Sequence, residues 1–298
     1  MKILNFGSLN IDFVYSLPHF VKPGETLDSE KMERFAGGKG LNQSVALANA
    51  GVEVYHAGSI GKDGIYLKEI LNKAGVNTKF LRTLDCPTGH AVIQVEPSGQ
   101  NSIILFAGAN HRVDNGFIET VFNDFNEGDW LLIQNEINRI PDIIEYSHKK
   151  GMRIALNPSP MNEEILKWKL DKISCFLINE VEGAQIAGTD DPEKICEIMN
   201  MRYPDAITVL TLGNKGALYS FKGKLEKYPI VESTAVDTTA AGDTFTGYFL
   251  ASVMRGESSK TAMMTATCAS AIAVTKPGAA GSIPQFGDVK KLLDSLNI

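Results

Sequence analysis

The stretch Trp130–Asn157, WLLIQNEINRIPDIIEYSHKKGMRIALN, decides the fold class. It begins with an apolar run at Trp130–Gln134 and ends with another at Arg153–Asn157. Between them, Asp142–Lys150 carries apolar residues at helical spacing. Short apolar runs separated by a helical segment are typical of buried strands in a parallel sheet.

The same alternation recurs on both sides of this stretch. Further strands are predicted at Lys2–Gly7, Val52–Ile60, Cys175–Ile178 and Ile207–Leu212, and further helices at Gly40–Ala50, Ile65–Ala74 and Pro192–Met201. Strands alternating with helices predict an α/β fold, with a mostly parallel sheet covered by helices on both faces. We expect residues 1–298 to form one such domain, because 298 residues suffice for a single large core.

Two segments break the alternation and have the spacing of antiparallel strands. They are Asn10–Ala36 and His90–Ala107, the second with a hairpin turn at Pro97-Ser98-Gly99. We expect residues 10–36 and 88–108 to form a small protruding sheet. It would act as a lid over the carboxyl ends of the main strands, where such folds bind ligands. Its exposed apolar face could pair with a second copy of the chain, and the alternative is a pair of edge hairpins.

Composition excludes several classes of function. The 29 Lys and Arg against 35 Asp and Glu give a net charge of −6, which argues against nucleic acid as a partner. No apolar run approaches the ~18–20 residues of a membrane span, and we expect no membrane association. The scattered cysteines, with no signal peptide at the start, predict a reducing cytoplasm. They are Cys86, Cys175, Cys196 and Cys268.

The sharpest chemical motif is Asp237–Gly247, DTTAAGDTFTG. It is predicted to follow a strand at Ile230–Val236 and to open a helix. The small residues Ala240, Ala241 and Gly242 would expose backbone N–H groups that form an anion hole at the helix N-terminus. Asp243 beside such a hole fits a base that takes a proton from an attacking hydroxyl. The alternative is plain N-capping by Asp243.

Two polar motifs near the start fit a polyhydroxylated ligand. Phe35–Gln43, FAGGKGLNQ, is neither a Walker A loop nor GxGxxG, but its open backbone with Lys39 and Asn42 suits hydroxyl groups. Asn10 and Asp12 after the first strand lie on one side of an extended segment. Turn formation is the alternative reading of both motifs.

Two strand ends suit a nucleotide. Asn179–Glu182, NEVE, could orient a hydrated Mg²⁺ near phosphates or could simply cap a helix. Thr211–Gly216, TLGNKG, could hold phosphate or nucleotide, or only turn the chain.

Taken in order, these motifs resemble those of the ribokinase family of sugar kinases, within the ribokinase/phosphofructokinase-B superfamily. The resemblance covers nearly the whole chain, and its most specific part is GGKG-x-N followed far downstream by DT-x-AAGD. It implies a three-layer α/β kinase domain with a β-sheet lid. The motifs are GSLNID, PGET, GGKGLNQ, AGAN, NPSP, NEVE, TLGNKG, DTTAAGDTF and AVTKPGAAGSIP.

The resemblance implies roles for particular residues. The sugar contacts would be Asn10, Asp12, Gly38, Lys39, Asn42, Glu136 and Asp243, under apolar lid positions Ala91, Ile93 and Leu105. The catalytic set would be Asp243 as base with Ala240, Ala241 and Gly242 as anion hole. The ATP site would comprise Asn179, Thr211, Gly213, Gly216, Gly242 and Thr267.

The resemblance also implies ions and a partner. Glu182 would lie near Mg²⁺. Dimerisation would occur through the lid sheets. A K⁺ ion, acting as a monovalent activator, would be held mostly by backbone carbonyls of Asp237, Thr239, Ala273, Lys276, Gly278 and Ser282.

The activity that the resemblance implies is ATP-dependent phosphorylation of D-ribose on its 5-hydroxyl. The alternatives are a related kinase of a ketohexose, deoxyribose, a sugar acid or a nucleoside, and a non-catalytic sugar-binding module. A Rossmann oxidoreductase is disfavoured because no GxGxxG follows the first strand. Asn135, His90 and His111 depart from the family pattern near the sugar, and Thr267 departs from it near the adenine.

Overall fold

A large sheet between two layers of helices makes up most of the computed structural model, which describes residues 1–297. The strands are β1 Ile3–Phe6, β2 Asn10–Ser16, β3 Lys31–Gly37, β4 Val54–Gly61, β5 Asn77–Leu84, β6 Gly89–Val95, β7 Asn101–Phe106, β8 Trp130–Gln134, β9 Arg153–Asn157, β10 Cys175–Asn179, β11 Ile207–Thr211, β12 Ala217–Phe221 and β13 Lys224–Tyr228. The α-helices are α1 Lys39–Asn49, α2 Ile65–Lys73, α3 Asn115–Phe122, α4 Ile140–Lys149, α5 Glu180–Ala187, α6 Pro192–Arg202, α7 Ala241–Met254, α8 Ser259–Ala273 and α9 Phe286–Ser295.

The large sheet has nine strands in the order β13-β12-β11-β10-β9-β8-β1-β4-β5. From β5 to β11 every neighbouring pair is parallel, whereas β12 and β13 add an antiparallel edge. The predicted α/β class with a mostly parallel sheet is confirmed. Neighbouring strands can be parallel because helical crossovers carry the chain back to the end of the sheet where the previous strand began.

Both faces of the large sheet are buried, and successive residues of a strand enter different cores. Ile3 of β1 packs into the core under α1, α7 and α8, and its neighbour Leu4 packs into the core under α3, α4 and α6. Strands covered on both faces read as continuous apolar runs, which is why the sequence showed them clearly.

The small sheet consists of β3, β2, β6 and β7 in that order. β2 pairs antiparallel with β3 and parallel with β6, and Gly99 with φ 83° turns the chain from β6 into β7. The separate small sheet is therefore confirmed, but it is mixed and not wholly antiparallel, because its two antiparallel pairs are joined by the parallel pair β2 and β6. Every residue of β7 is exposed, including Ile104 at 62%.

One predicted element is wrong. Ile230–Val236 does not form a strand and follows the end of β13 as an irregular, mostly exposed segment. Pro229 lacks the N–H that would continue a β ladder, and the backbone N–H of Val236 donates to Val274 O at the end of α8 instead. The apolar residues of this segment line a cavity and do not enter a sheet.

No helix within residues 1–297 is long and apolar enough to cross a membrane.

Candidate active site

Asp243 lies in the first turn of α7 and is 7% exposed. Its two carboxylate oxygens accept hydrogen bonds from the side-chain amides of Asn42, at 3.0 Å, and Gln43, at 2.8 Å. Both amides belong to α1, which packs against α7 through the close approach of Gly247 to Ala46. The glycine-rich motif and the DTTAAGD motif are therefore brought together.

Asn10 and Asp12 lie on β2, at the base of the small sheet. Asp12 is in register with Phe35 of β3 and Ala91 of β6, and Ala91 pairs with Leu105, so these side chains share one face. Gly37 leaves room for the Asp12 carboxylate, because a Cβ there would lie 2.0 Å from Oδ2.

Asn10 is held by a residue that the sequence analysis did not single out. Asn110 Nδ2 donates to Asn10 Oδ1 at 2.8 Å, and Asn110 Oδ1 accepts from Leu9 N at 3.0 Å. Gly89 leaves space for this pair, because a Cβ there would lie 2.1 Å from Asn110 Nδ2.

Glu136 follows β8 and lies at the N-terminus of α1. Its Oε2 accepts a hydrogen bond from Lys39 N at 2.9 Å and another from the Ser8 hydroxyl. A carboxylate in this position is favoured by the free N–H groups and the helix dipole. The N-cap residue of α1 is Gly38 with φ 91°, a left-handed conformation that favours glycine.

The charged groups of the site perturb one another. Burial, and then the charge of Glu136, raises the pKa of Asp12 to about 6. Burial likewise raises the pKa of Glu136, against the opposing effects of Lys39 and Ser8. Burial opposes the charge of Lys39, but Asp243, Glu136 and Glu182 together raise its pKa. Lys39 is thus the cation shared by three buried carboxylates.

The N-terminus of α7 differs in one respect from the predicted anion hole. Ala240 adopts a left-handed conformation with φ 59°, which turns the chain sharply into the helix. Ala241 N donates to Thr238 O at 3.2 Å, so this amide is already used within the loop. Gly242 lines both cavities described below.

Two cavities meet at Gly242. The first, of about 380 Å³, is mainly apolar and is bounded by Ile230, Val231, Phe245, Ala271 and Val274. It also contains the predicted nucleotide residues Thr211, Gly213, Gly216 and Thr267. The second, of about 230 Å³, is more polar and contains Lys39, Asn157, Asn179, Glu182 and Asp243.

Asn179 and Glu182 form a capping box at the start of α5. Asn179 Oδ1 accepts from Glu182 N at 2.9 Å, and Glu182 Oε2 accepts from Asn179 N at 3.0 Å. The capping interpretation is thus confirmed, and the same two residues also line the polar cavity. Burial raises the pKa of Glu182.

Thr267 lies on α8, where its hydroxyl donates to Met263 O at 2.8 Å. The hydroxyl is therefore used within its own helix, although the side chain borders the apolar cavity.

Asp237 organises the loop behind the α7 N-terminus. Its carboxylate accepts from the backbone N–H and hydroxyl of Thr239, at 2.8 and 2.6 Å, and from Gly278 N at 2.8 Å. Lys276 N donates to Ala273 O in the same turn after α8. Ser282 is buried, and its hydroxyl donates to Ala279 O. The structure thus joins Asp237, Thr239 and Gly278 directly.

Two of the departures from the family pattern have structural explanations. His90 lies between Phe13 and Phe106, edge-on to the first ring and tilted to the second, with ring centroids 6.0 and 5.0 Å away, on the face of the small sheet opposite Asp12. Asn135 Nδ2 donates to Pro160 O at 2.6 Å and so fixes a loop. His111 ends a short 3-10 turn, where burial lowers its pKa.

Known proteins resemble this chain over nearly its whole length. The sequence profile of the pfkB family carbohydrate kinases matches residues 1–285. The chain belongs to this family of carbohydrate kinases.

Among its curated relatives is a ribokinase from Haemophilus influenzae, 34% identical over 97% of both chains. A ribokinase from Cryptococcus neoformans in complex with ADP is 36% identical, with a TM-score of 0.86 over 98% of this chain and 99% of the other. A ribokinase from Arabidopsis thaliana complexed with ribose and ATP is 30% identical, with a TM-score of 0.86 over 98% of each chain.

Proposed function

We propose that this chain transfers the γ-phosphoryl group of ATP to the 5-hydroxyl of D-ribose and so produces ribose 5-phosphate. The observation that carries the proposal is the buried Asp243, which lies at the N-terminus of α7 where a polar and an apolar cavity meet. The similarity to ribokinases over nearly the full chain, one of them complexed with ribose and ATP, supports this substrate pair.

In this proposal, Asp243 accepts the proton of the 5-hydroxyl as that oxygen attacks the γ-phosphorus. The sugar is oriented by Asn10, Asp12, Gly38, Lys39, Asn42 and Glu136, whose amides and carboxylates suit the hydroxyl groups of a furanose, the ring form of ribose that has a free 5-hydroxyl. Ala240, Ala241 and Gly242 form the anion hole, with the Gly242 N–H as its main donor because Ala241 N is already bonded. The ammonium group of Lys39 offsets charge as the phosphoryl group passes.

The nucleotide is assigned to the apolar cavity, with its base near Thr267 and its phosphates directed past Gly242. Asn179, Thr211, Gly213 and Gly216 would line this path. Mg²⁺, when bound with the nucleotide, offsets charge on the phosphate oxygens. Glu182 and Asn157 fit such an ion, because both residues line the polar cavity, both carry side-chain oxygen atoms, and Mg²⁺ retains several of its own waters.

We assign the monovalent cation, K⁺, to the loop organised by Asp237. The carboxylate of Asp237 already has three donors, so the ion would be held mainly by backbone carbonyls of Thr239, Ala273, Lys276, Gly278 and Ser282. The loop leads directly into Ala240, so an ion there would stiffen the anion hole.

We further propose that residues 1–298 are one kinase domain and that the small sheet is its lid. Ala91, Ile93 and Leu105 would cover the sugar and exclude water. The exposed apolar edge strand β7 would join a second copy. We place the enzyme in the cytoplasm, where ATP is plentiful and unpaired thiols such as its four free cysteines stay reduced.

The test is coupled release of ADP with Mg·ATP and a panel of D-ribose, 2-deoxyribose, ketohexoses, sugar acids and nucleosides, each with and without K⁺. We expect turnover on ribose that rises with K⁺. Asp243→Asn should lower kcat by at least about a hundredfold while ribose still binds by calorimetry. Turnover on another member of the panel would reassign the sugar, and an Asn variant that is as active as the parent would remove Asp243 as the base.

A further inference from the structure

A band of buried polar side chains crosses the sheet beneath the proposed base. Gln134 and Asn157 end the adjacent strands β8 and β9, and Asn5 is the third of four residues in the neighbouring strand β1. Asn5 and Gln134 are buried, Asn157 is half-buried, and all three are directed toward α1. Gln134 and Asn157 are in direct register, as are Asn5 and His56 of β4. Buried amides away from water are costly unless they are hydrogen-bonded, so the pattern of their bonds has consequences.

The orientation of Asn5 is set by the backbone. One hydrogen of its Nδ2 is donated to Gly40 O at 2.7 Å, and the other to Ser44 Oγ at 2.8 Å. A carbonyl can only accept, so the amide cannot be reversed. Asn5 Oδ1 therefore faces Gln134 as an acceptor.

The orientation of Asn5 fixes the orientation of the next two amides, Gln134 and Gln43. Gln134 Nε2 donates to Asn5 Oδ1 at 2.9 Å and to Gln43 Oε1 at 2.6 Å, which uses both of its hydrogens. Gln43 must then present its own Nε2 on the other side. That group donates to Asp243 Oδ1 at 2.8 Å and to Asn157 Oδ1 at 3.1 Å.

The far end of the band is fixed in the same way. Asn157 Nδ2 donates to Leu177 O at 2.8 Å, so Asn157 offers only its oxygen to Gln43. Beside Asn5, the Ser44 hydroxyl accepts from Asn5 and so donates to His56 Nδ1, at 2.8 Å. Burial lowers the pKa of His56 to about 4, so the ring is neutral and can accept.

We infer that Asn5, Gln134 and Gln43 act as positioning residues whose directed hydrogen bonds hold the Asp243 carboxylate toward the acceptor hydroxyl. This inference rests on the proposed function, in which Asp243 is the base. Two backbone carbonyls determine the direction of every amide between them, and the last amide can only donate to the base. Asp243 accepts hydrogen bonds from Asn42 and Gln43, and of these two only Gln43 is itself held by the amides of Gln134 and Asn5.

The decisive variant is Gln134→Met, because Gln134 does not touch Asp243 and methionine has nearly the same length. Without Gln134, Gln43 Oε1 loses its hydrogen-bond donor, and the Gln43 side chain is no longer held in place against Asp243. We expect kcat with ribose to fall on the order of ten- to a hundredfold, with KM for ribose nearly unchanged. The acid limb of the kcat profile should move to higher pH, because a carboxylate that loses an N–H donor is protonated more easily.

The charged neighbours of Asp243 limit how the pH profile is interpreted. The charge of Asp243 raises the pKa of Lys39 and that of Glu136, and Glu182 also raises the pKa of Lys39. None of these hydrogen-bonds to Gln134, so the variant leaves their contacts in place. The matched control is Gln285→Met, since Gln285 donates only to Asn49 Oδ1 far from the site; we expect its kinetics to equal those of the parent.

The result that would overturn the inference is a folded Gln134→Met protein with the kcat and pH profile of the parent. In an Asp243→Asn background, Gln134→Met should cause no additional loss of kcat, and an additive loss would also contradict a positioning role. If Gln134→Met fails to fold, Asn5→Val tests the same chain from its distal end.

A readout without turnover separates this inference from the function itself. Crystal structures of the parent and Gln134→Met should show the Asp243 carboxylate rotated in the variant, with Gln43 displaced from it. If the parent phosphorylates nothing in the panel, the proposed function fails, and these structures still decide whether the amide chain positions Asp243. If the Asp243 carboxylate keeps its position in the variant, the positioning role of these amides is refuted, whatever the substrate is.

Discussion

Asp12→Asn should stabilise the protein, although it removes a proposed sugar ligand. Asp12 lies in the small sheet with its carboxylate close to Gly37 and to the charge of Glu136. Its pKa of about 6 compares with an ordinary value of 3.8. The folded state therefore binds the Asp12 proton more tightly than the unfolded state does.

The sign and size follow from linkage. Between about pH 4 and pH 6 the folded protein carries more protons, so the free energy of unfolding of the parent falls as the pH rises through this window. A pKa raised from 3.8 to about 6 corresponds to roughly 3 kcal/mol lost by about pH 8. Asparagine resembles the protonated acid and does not incur this loss.

The assay is urea unfolding of the parent and Asp12→Asn at about pH 8 and about pH 4.5. We expect the variant to be more stable by roughly 3 kcal/mol at the higher pH and by about 1 kcal/mol at the lower. Asp85→Asn, at an exposed carboxylate paired only with Lys62, is the control and should change stability by less than about 0.5 kcal/mol.

Two results would refute this reasoning. One is a variant that is destabilised at both values of pH, which would mean that the carboxylate makes favourable contacts in the folded state. The other is a stability difference that does not change with pH. KM for ribose in the parent should also rise as the pH falls below about 6, because the protonated acid is a poorer acceptor for sugar hydroxyls.

Three further predictions concern the rest of the site. Gly37→Ala places a Cβ 2.0 Å from Asp12 Oδ2. We therefore expect KM for ribose to rise on the order of tenfold in steady-state kinetics. The control is Gly287→Ala, which has open space around it and should leave KM unchanged. Ile104→Asp puts a charge on the exposed apolar strand β7. The dimer Kd should rise on the order of tenfold, which light scattering would show as a shift toward monomer. An unchanged mass would show that β7 is not the interface. Asp237→Ala removes the carboxylate that ties Thr239 to Gly278, so stimulation of ADP release by K⁺ should be largely lost, and full stimulation in this variant would place the ion elsewhere.

The α/β architecture was readable from the sequence because its signals are local. An apolar run such as Leu131–Ile133 is buried on both faces, and the periodicity of α4 reports the one face that it buries. The same local rule failed at Ile230–Val236. Its composition suits a strand, but Pro229 lacks the N–H that would continue the β ladder, and Ile230, Val231 and Ala235 line the apolar cavity.

Asp243 and the residues of the glycine-rich loop were predictable because small residues beside a charged one are unusual in a single stretch of chain. Asn5, Gln134 and Asn157 carried only a weak signal, a polar residue near the end of each apolar run. Asn110 and Gln43 lay inside recognised motifs without an assigned role. Nothing within any one of these segments shows which of the others it contacts.

The layers of the fold, the small sheet and the identity of the acidic residue at the α7 N-terminus could thus be predicted from the amino-acid sequence. How that residue is held could be seen only in the folded protein. Asn5 and Asp243 are separated by more than two hundred residues along the chain, and they are linked only because strand register and the packing of α1 on α7 bring three amides, those of Asn5, Gln134 and Gln43, into hydrogen-bond contact. The direction of these hydrogen bonds depends on two backbone carbonyls, Gly40 O and Leu177 O, whose positions exist only in the folded chain.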